Sequence, residues 1–204
     1  MTAPKAVVFD LGNVLIDWDP HPAIAAAVGG EEATRFLAAD DFDFGAWNHE
    51  QDAGRPFEES EQAAVDRTPH WREHILSYRA NFDRSLLGEI AASVGVLRDL
   101  HAAGVRVVAL TNWSAELFPV ARDRFDFLQL FEDIVVSGEV RLAKPDPRIF
   151  HIVTERSGLA PGECVFVDDK PENVEAARAA GFDGVVFVDD GSLRERLRDR
   201  GLPV

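Results

Sequence analysis

Carboxylates, a hydroxyl and a lysine follow apolar runs of the chain, and these are the residue types that phosphoryl transfer requires. In chain order they are Asp10, Thr111-Asn112, Lys144 and Asp168-Asp169. A carboxylate can attack phosphorus as a nucleophile. Because carboxylate and phosphate are both anions, such a site also needs a hard cation with oxygen ligands and further positive groups.

The apolar runs are typical of strands that are buried on both faces of a parallel sheet. They lie at Ala6–Phe9, Val105–Leu110, Ile134–Val136, Cys164–Val167 and Val185–Val188. Helical patterns alternate with them, at Ala115–Phe125, Pro147–Ser157, Pro171–Ala180 and Ser192–Arg200. This alternation predicts an α/β fold with a doubly wound parallel sheet. Ligands of such sheets bind at the carboxyl ends of the strands, where the candidate residues stand.

The stretch from 20 to 83 interrupts this alternation, because it has no buried strand pattern and its apolar residues recur at helical spacing. Two predicted helical faces carry Ala33, Phe36, Leu37 and Trp71, Ile75, Tyr78. The pattern predicts a small all-helical insertion over 20–83, placed after the first strand, within an α/β core of residues 1–19 and 84–204. The segment Glu89–Ala103 is predicted to form the helix that leads back into the second strand.

Each candidate residue also has a purely structural interpretation. An aspartate that ends a strand, such as Asp10, often only caps a turn. Thr111 and Asn112 could cap the following helix. Lys144 could be an ordinary surface lysine, and the acid pair could cap the helix that begins at Pro171. The order of these residues, each at or just beyond the end of a successive core strand, favours a site.

Four segments resemble the four motifs of the haloacid dehalogenase-like superfamily. They are Val8-Phe9-Asp10-Leu11-Gly12-Asn13-Val14-Leu15, Leu110-Thr111-Asn112, Lys144-Pro145 and Val165-Phe166-Val167-Asp168-Asp169. The resemblance spans residue 6 to about 190, and the four motifs are specific together although each is weak alone. The helical insertion resembles the C1-type cap of subfamily IA, which closes over the site and selects the substrate.

The resemblance implies a Mg²⁺-dependent phosphatase, a phosphoric monoester hydrolase that acts through an aspartyl-phosphate on Asp10. It implies that Thr111 and the backbone amide of Asn112 hold the phosphate of a small phosphorylated metabolite. Lys144 would steady both the nucleophile and the phosphoryl oxygens.

The same resemblance implies a set of ligands for Mg²⁺. Asp10 and Asp169 would bind the ion directly, and the carbonyl of Gly12 would supply a third protein ligand. Asp168 and Asn173 would act through water or orient the ligands.

Gly12 departs from the phosphatase pattern of the superfamily, in which an aspartate two residues after the nucleophile protonates the leaving oxygen and then activates water. The absence of such a general acid and base typically lowers the reaction rate by about 10²–10⁴-fold. Halide-cleaving members also lack it, so a metal-independent 2-haloacid dehalogenase and a catalytically silent binding protein are alternatives. A phosphatase is favoured because dehalogenation needs no cation, whereas Asp168-Asp169 together with Lys144 make a site charged for metal and phosphate. The segment around Gly12 also resembles bacterial sugar phosphatases, including glucose-1-phosphate phosphatases, that have glycine there.

The missing acid directs attention to other proton donors and to the leaving group. Asp17 and Asp19, just beyond the first motif, are the first candidates, with solvated loop acids as the alternative. A chain without the acid should prefer a leaving group that departs easily. A hexose 1-phosphate should therefore be a better substrate than the matching 6-phosphate.

The insertion contains residues suited to stacking on a sugar and hydrogen-bonding to it. They are Trp47, His49, Glu50 and Asp52. The alternative is an amphipathic helix that has Trp47 in the core and its polar residues in water. Trp113, directly after the second motif, is predicted to face the substrate.

Composition limits the class of partner. The chain has 21 Lys and Arg against 36 Asp and Glu, a net charge of −15 that repels nucleic acid and anionic membrane surfaces. Its single cysteine, Cys164, stands in an apolar run and is predicted to be a buried strand residue. The sequence has no apolar run of membrane-spanning length and no signal-peptide core, so cytoplasmic location is expected. Oligomeric state cannot be inferred from these features.

Overall fold

A computed structural model describes residues 4–189 and 191–204. Within these residues the main sheet has five parallel strands in the order β5-β4-β1-β6-β7, and two further strands, β2 and β3, form an antiparallel ribbon. The strands are β1 Ala6–Phe9, β2 Ile16–Trp18, β3 Leu86–Glu89, β4 Arg106–Thr111, β5 Asp133–Val136, β6 Cys164–Asp168 and β7 Asp183–Val186.

Eleven α-helices lie between and around the strands of the described chain. They are α1 His21–Val28, α2 Gly30–Leu37, α3 Phe44–Asp52, α4 Phe57–Arg67, α5 Arg72–Ala80, α6 Ala91–Ala102, α7 Phe118–Arg124, α8 Ser137–Val140, α9 Pro147–Ser157, α10 Pro171–Ala179 and α11 Leu193–Arg198. Short 3₁₀ turns lie at Pro69–Trp71, Phe82–Ser85, Asp126–Leu130 and Pro161–Glu163.

The central strand β1 contributes side chains to both faces of the sheet. Val7 and Phe9 belong to one apolar cluster, which α6 and α11 help to cover, whereas Ala6 and Val8 belong to a second, which α9 and α10 cover. Since successive residues of a strand point to opposite faces, a strand buried on both sides needs apolar residues at every position. The continuous apolar runs have this cause, and the predicted doubly wound α/β fold is confirmed.

Helix ends show where local sequence sets a boundary and where tertiary contacts set it. The side chain of Asp146 caps α9 by accepting a hydrogen bond from a backbone amide at 2.9 Å, with Pro147 in the first turn. The helix predicted from Ala115 instead begins at Phe118, because the residues before it form a turn in which Ser114 bonds to the backbone of Glu116. Likewise, Glu89 ends strand β3, and the helix predicted from it begins two residues later.

Helices α1 to α5 occupy the segment predicted as the insertion, and the described chain has no strand between 19 and 85. The chain enters and leaves this segment through the ribbon, in which Ile16 pairs with Glu89. A row of ring contacts, Tyr78 to Phe82 at 5.7 Å and Phe82 to Trp113 at 6.0 Å, connects α5 with the loop after β4. The helical segment therefore packs directly against the sheet's carboxyl edge, while the domain bounds at 20 and 83 stay a prediction.

None of the helices in the described chain is long and apolar enough to cross a membrane.

Candidate active site

The sheet topology brings three of the predicted site residues to one edge. Asp10 directly follows β1, Thr111 ends β4 and Asp168 ends β6. Because β1 pairs in parallel with both β4 and β6, the carboxyl ends of these strands are neighbours. Residues separated by up to 158 positions thus meet in one site.

Lys144 reaches this edge from the loop before α9 and is 1% exposed. Its Nζ donates to the backbone oxygen of Leu110 at 2.9 Å and to Oδ2 of Asp168 at 2.6 Å, and it lies 3.0 Å from Oδ1 of Asp10. Burial alone would lower the pKa of this ammonium group, but the two carboxylates outweigh burial and raise it. Lys144 therefore stays charged. Its burial excludes the interpretation as an ordinary surface lysine.

Asp10 presents two carboxyl oxygens in different environments. Oδ1 accepts from the backbone amide of Leu11 at 2.7 Å and pairs with Lys144, whereas Oδ2 has no hydrogen-bond or ion-pair partner among the described residues. Burial raises the pKa of Asp10 to about 7, with help from the charges of Asp168 and Asp169 and against that of Lys144. One oxygen is therefore fixed while the other is available to a ligand.

Asp168 is fully buried, and both of its carboxyl oxygens accept hydrogen bonds. Besides Lys144, the backbone amide of Lys170 donates to Oδ1 at 2.8 Å, and Nδ2 of Asn173 lies 3.0 and 3.1 Å from the two oxygens. Hydrogen bonds from three residues hold this carboxylate in one orientation. In this arrangement Asp168 positions the lysine, with Asn173 fixing the carboxylate from α10.

Asp169 and Gly12 complete the group predicted to bind metal. Ligand oxygens of Asp10, Asp168 and Asp169 all lie within 4.8 Å of one another. Burial and the charge of Asp168 raise the pKa of Asp169. Clustered carboxylates that repel one another are suited to a hard divalent cation with oxygen ligands. Gly12 lines the same cavity as Asp10 and Asp169.

Thr111 and Asn112 occupy the loop end of β4. The Thr111 hydroxyl is buried and has no hydrogen-bond partner among the described residues. The Asn112 side chain bonds twice to the backbone of Lys144, donating at 2.9 Å and accepting at 2.8 Å. Neither residue caps a helix, because the next one begins only after Leu117. Asn112 anchors the lysine loop, a role that the sequence did not suggest.

A cavity of about 190 Å³ opens above this edge and is shared by the sheet and the helical segment. One wall of it is a face of α3. Its residues recur at helical spacing: Gly45, Asn48, His49 and Asp52. Asn48 donates to Oδ2 of Asp52 at 3.3 Å, and Ser114, in the loop after β4, lines the same cavity. Burial raises the pKa of Asp52 to about 7, although Lys170 and Lys144 oppose this rise.

The remaining wall of the cavity is largely aromatic and apolar. It consists of Trp18, Tyr78, Phe82, Trp113 and Leu117. Trp113 is 6% exposed, and its indole Nε1 is buried without a hydrogen-bond partner in the described part of the chain. Trp113 thus lines the cavity, and its contact with a substrate stays a prediction.

The structure corrects the prediction that Trp47 contacts substrate. Trp47 is 3% exposed, is not part of the cavity wall, and packs against rings that include Phe44 and Tyr78, with its indole donating to the backbone of Ser60. The same helix carries Trp47 and the cavity face, but on opposite sides. Its neighbour Glu50 also stays outside the cavity wall.

The two first candidates for the missing acid are also outside the cavity wall. Asp17 is exposed on β2, and Asp19 accepts a hydrogen bond from the backbone of His21 at 2.8 Å at the start of α1. The sequence placed both near the first motif, but the chain turns away from the site through the ribbon.

Residues 4–181 match a family described as haloacid dehalogenase-like hydrolase. The chain belongs to this family. The match covers the helical segment, all four motifs and the strands of the main sheet up to β6, which confirms the predicted family and the predicted hydrolase class.

Relatives of this haloacid dehalogenase-like hydrolase include named phosphatases. A sesquiterpene phosphatase of Aspergillus oryzae is 28% identical over 197 residues, covering 97% of this chain and 96% of the relative. A phosphoglycolate phosphatase of Salmonella typhimurium is 27% identical over 211 residues, covering 89% and 80%. Both agree with the phosphoric monoester hydrolase that the sequence predicts.

A solved structure supports the fold of this hydrolase. A HAD-family enzyme of Bacteroides thetaiotaomicron, in a magnesium complex, superposes with a TM-score of 0.74 at 22% identity, covering 97% of this chain and all of the other. At 22% identity the similarity shows a common fold, and the two chains share this fold over nearly their whole lengths.

Proposed function

We propose that this chain is a Mg²⁺-dependent phosphatase that hydrolyses a small phosphorylated metabolite, with sugar phosphates as the leading substrate class, in the cytoplasm. The observation that carries the proposal is the buried contact of Asp10 with the Lys144 ammonium group at 3.0 Å, beside two further acids at the floor of a cavity. A carboxylate fixed through one oxygen is suited to attack through the other.

The donors present at the floor fit Mg²⁺. Asp10, Asp169 and the carbonyl of Gly12 would hold the ion, since all three offer the hard oxygen atoms that it prefers. When bound, Mg²⁺ supplies the positive charge that offsets repulsion between the acids and a phosphate dianion. The magnesium complex of the Bacteroides relative is consistent with this choice of metal.

The first chemical step transfers the phosphoryl group to the protein. Oδ2 of Asp10 attacks phosphorus, and the bond between phosphorus and the leaving oxygen breaks, so that the leaving oxygen carries away the bonding electrons and takes a proton. The Thr111 hydroxyl, which has no hydrogen-bond partner among the described residues, donates to a phosphoryl oxygen. Lys144 opposes the rise in the pKa of Asp10 and orients its carboxylate, because the ammonium group is itself held by Asp168.

The second step returns Asp10 to its starting form. Water attacks the phosphorus of the aspartyl-phosphate, and the bond between phosphorus and Oδ2 breaks with its electrons returning to the Asp10 carboxylate. One proton of the water stays on the inorganic phosphate that leaves, and the other is given up to a base. The size of the cavity, about 190 Å³, favours a small organic group on the substrate. The polar face of α3 can bond to its hydroxyls, and Trp113 can pack against it.

The experiment is a screen of phosphorylated sugars and other metabolites for release of inorganic phosphate, with Mg²⁺ and with a chelator. We expect turnover that depends on Mg²⁺ and is lost in Asp169→Ala, which removes a metal ligand. Equal phosphate release with and without chelator would contradict the metal role. Release of halide from 2-haloacids without metal would identify a dehalogenase, and no turnover of either kind would favour a binding protein.

A further inference from the structure

We propose that Asp52 is the proton donor to the leaving group, replacing the acid that is missing at Gly12. This inference rests on the phosphatase proposed above and adds a catalytic residue to it, drawn from the helical segment and not from the four motifs.

The position of Asp52 sets it apart from the other acids of the cavity. The carboxylates that line the cavity are Asp10, Asp52 and Asp169. Ligand oxygens of Asp10 and Asp169 belong to a cluster within 4.8 Å, together with Asp168, and Asp52 is not part of that group. Two lining acids are thus placed for nucleophile and metal, and the third is left for another task.

The in-line geometry of phosphoryl transfer determines which wall of the cavity faces the leaving oxygen. The leaving oxygen stands opposite the attacking oxygen, so it points away from Asp10 and out of the strand ends. The cavity wall that the strand ends do not form includes the polar face of α3, where Asp52 stands. The backbone of Ser114, three residues after Thr111, lies near Asp52 and acts to lower its pKa, so Asp52 stands close to the loop that binds the phosphate.

The environment of Asp52 suits a group that gives and takes a proton. Burial raises its pKa to about 7, so that the acid form is populated near neutral pH, where a general acid works best. Asn48 donates to Oδ2 at 3.3 Å and fixes the rotamer. As the bond from phosphorus to the leaving oxygen breaks, the Asp52 carboxyl gives its proton to that oxygen. As water attacks the aspartyl-phosphate, the resulting carboxylate takes a proton from the water.

Gly12 offers a direct test by restoration. A Cβ added at Gly12 meets no atom within 4 Å, and the backbone there is outside the left-handed region that favours glycine. An aspartate can therefore be introduced at this position without strain, and its carboxyl would enter the same cavity.

The experiment compares kcat/KM, which reports only the steps up to phosphoryl transfer, for 4-nitrophenyl phosphate and for a hexose 6-phosphate. The first leaving group departs without a proton, and the second needs one. We expect Asp52→Asn to lose about 10²-fold or more on the hexose 6-phosphate and less than about 10-fold on the aryl ester. The preference for a hexose 1-phosphate that Gly12 suggests should then be strong in Asp52→Asn and weak in the wild type. Gly12→Asp in the Asp52→Asn background should restore turnover of the 6-phosphate.

Two neighbours on α3 serve as controls. Glu50→Gln removes a carboxylate that pairs with Arg55 outside the cavity wall, and should leave both kcat/KM values unchanged. His49→Gln removes the other titratable group of the cavity face, and should affect both substrates alike.

Several outcomes would overturn the role of Asp52. They are an equal loss on both substrates, no loss on either, and a selective loss in His49→Gln in its place. Circular dichroism and thermal melting of Asp52→Asn exclude unfolding as the cause of a loss. Failure of the underlying function looks different, since the wild type would then release no phosphate from either ester in Mg²⁺, or Asp10→Asn would remain active.

Discussion

Asp10→Asn should abolish turnover and yet raise the thermal stability of the metal-free protein. The carboxyl is 7% exposed, and burial raises its pKa from 3.8 to about 7, with Asp168 and Asp169 adding to burial and Lys144 opposing it. The ionised form is therefore disfavoured in the fold. An asparagine amide carries no charge and cannot act as the nucleophile, but its oxygen can still accept the hydrogen bond of Leu11.

The magnitude follows from the difference in pKa between the folded and unfolded chains. One pKa unit corresponds to about 1.4 kcal/mol, so about three units amount to at most roughly 4 kcal/mol. The amide binds Lys144 less strongly than the carboxylate does, which removes part of this gain, and we expect a net ~1–3 kcal/mol. In a chain of this size each kcal/mol raises Tm by about 2–4 °C.

The sign of the pH dependence is fixed by the raised pKa. The folded protein binds more protons at Asp10 than the unfolded chain does between about pH 4 and pH 7. The stability of the wild type is therefore lowered progressively as pH rises through this window, and the loss is complete above about pH 7. Asp10→Asn has no such term, so its advantage in Tm should be larger at pH 8 than at pH 5.

The assay is differential scanning calorimetry in chelator at pH 5 and pH 8, with inorganic phosphate release measured in Mg²⁺. Asp17→Asn, which removes one exposed acid from β2, is the control for net charge. Mg²⁺ should raise the Tm of the wild type more than that of Asp10→Asn, because the variant lacks a ligand. A Tm at or below that of the wild type in chelator at pH 8 would refute the electrostatic reasoning. Residual turnover within about tenfold of the wild type would refute Asp10 as nucleophile.

Four further tests concern helix glycines, a helix cap and the buried cysteine. Gly95→Ala should stabilise the protein by up to about 1 kcal/mol, because Gly95 lies inside α6 with open space around an added Cβ. Gly138→Ala should instead unfold or strongly destabilise it, since its Cβ would meet the backbone nitrogen of Ala115; thermal melting measures both. Asp43→Ala should lower the free energy of unfolding by about 1 kcal/mol, because it removes the N-cap of α3, whereas Asp43→Asn should keep most of that stability. Urea unfolding measures both variants, and equal losses in the two would show that the cap contributes nothing. Cys164 should react with thiol reagents only after unfolding, because it is 1% exposed and burial raises its pKa to about 11; fast labelling of the native protein would contradict this.

The sequence by itself determined the sheet and the family. A strand buried on both faces needs an unbroken apolar run, and such a run is visible without any knowledge of its neighbours. The run Ala6–Phe9 matches β1 residue for residue, and Asp146 with Pro147 marks the start of α9 by local capping chemistry. The motif residues at strand ends could be identified in the same way, because parallel strands present their carboxyl ends at one edge.

Only the tertiary structure decided which residues of the helical segment face the cavity. On α3 the buried side carries Phe44, Trp47 and Gln51, so it too contains a polar residue, and the contrast between the two sides of the helix is weak in the sequence. The Nε2 of Gln51 donates a hydrogen bond to Ser60, a partner on another helix that no local pattern reveals. The rotation of α3 about its axis therefore follows from packing, and with it the placement of Asp52 in the cavity and of Trp47 in the core.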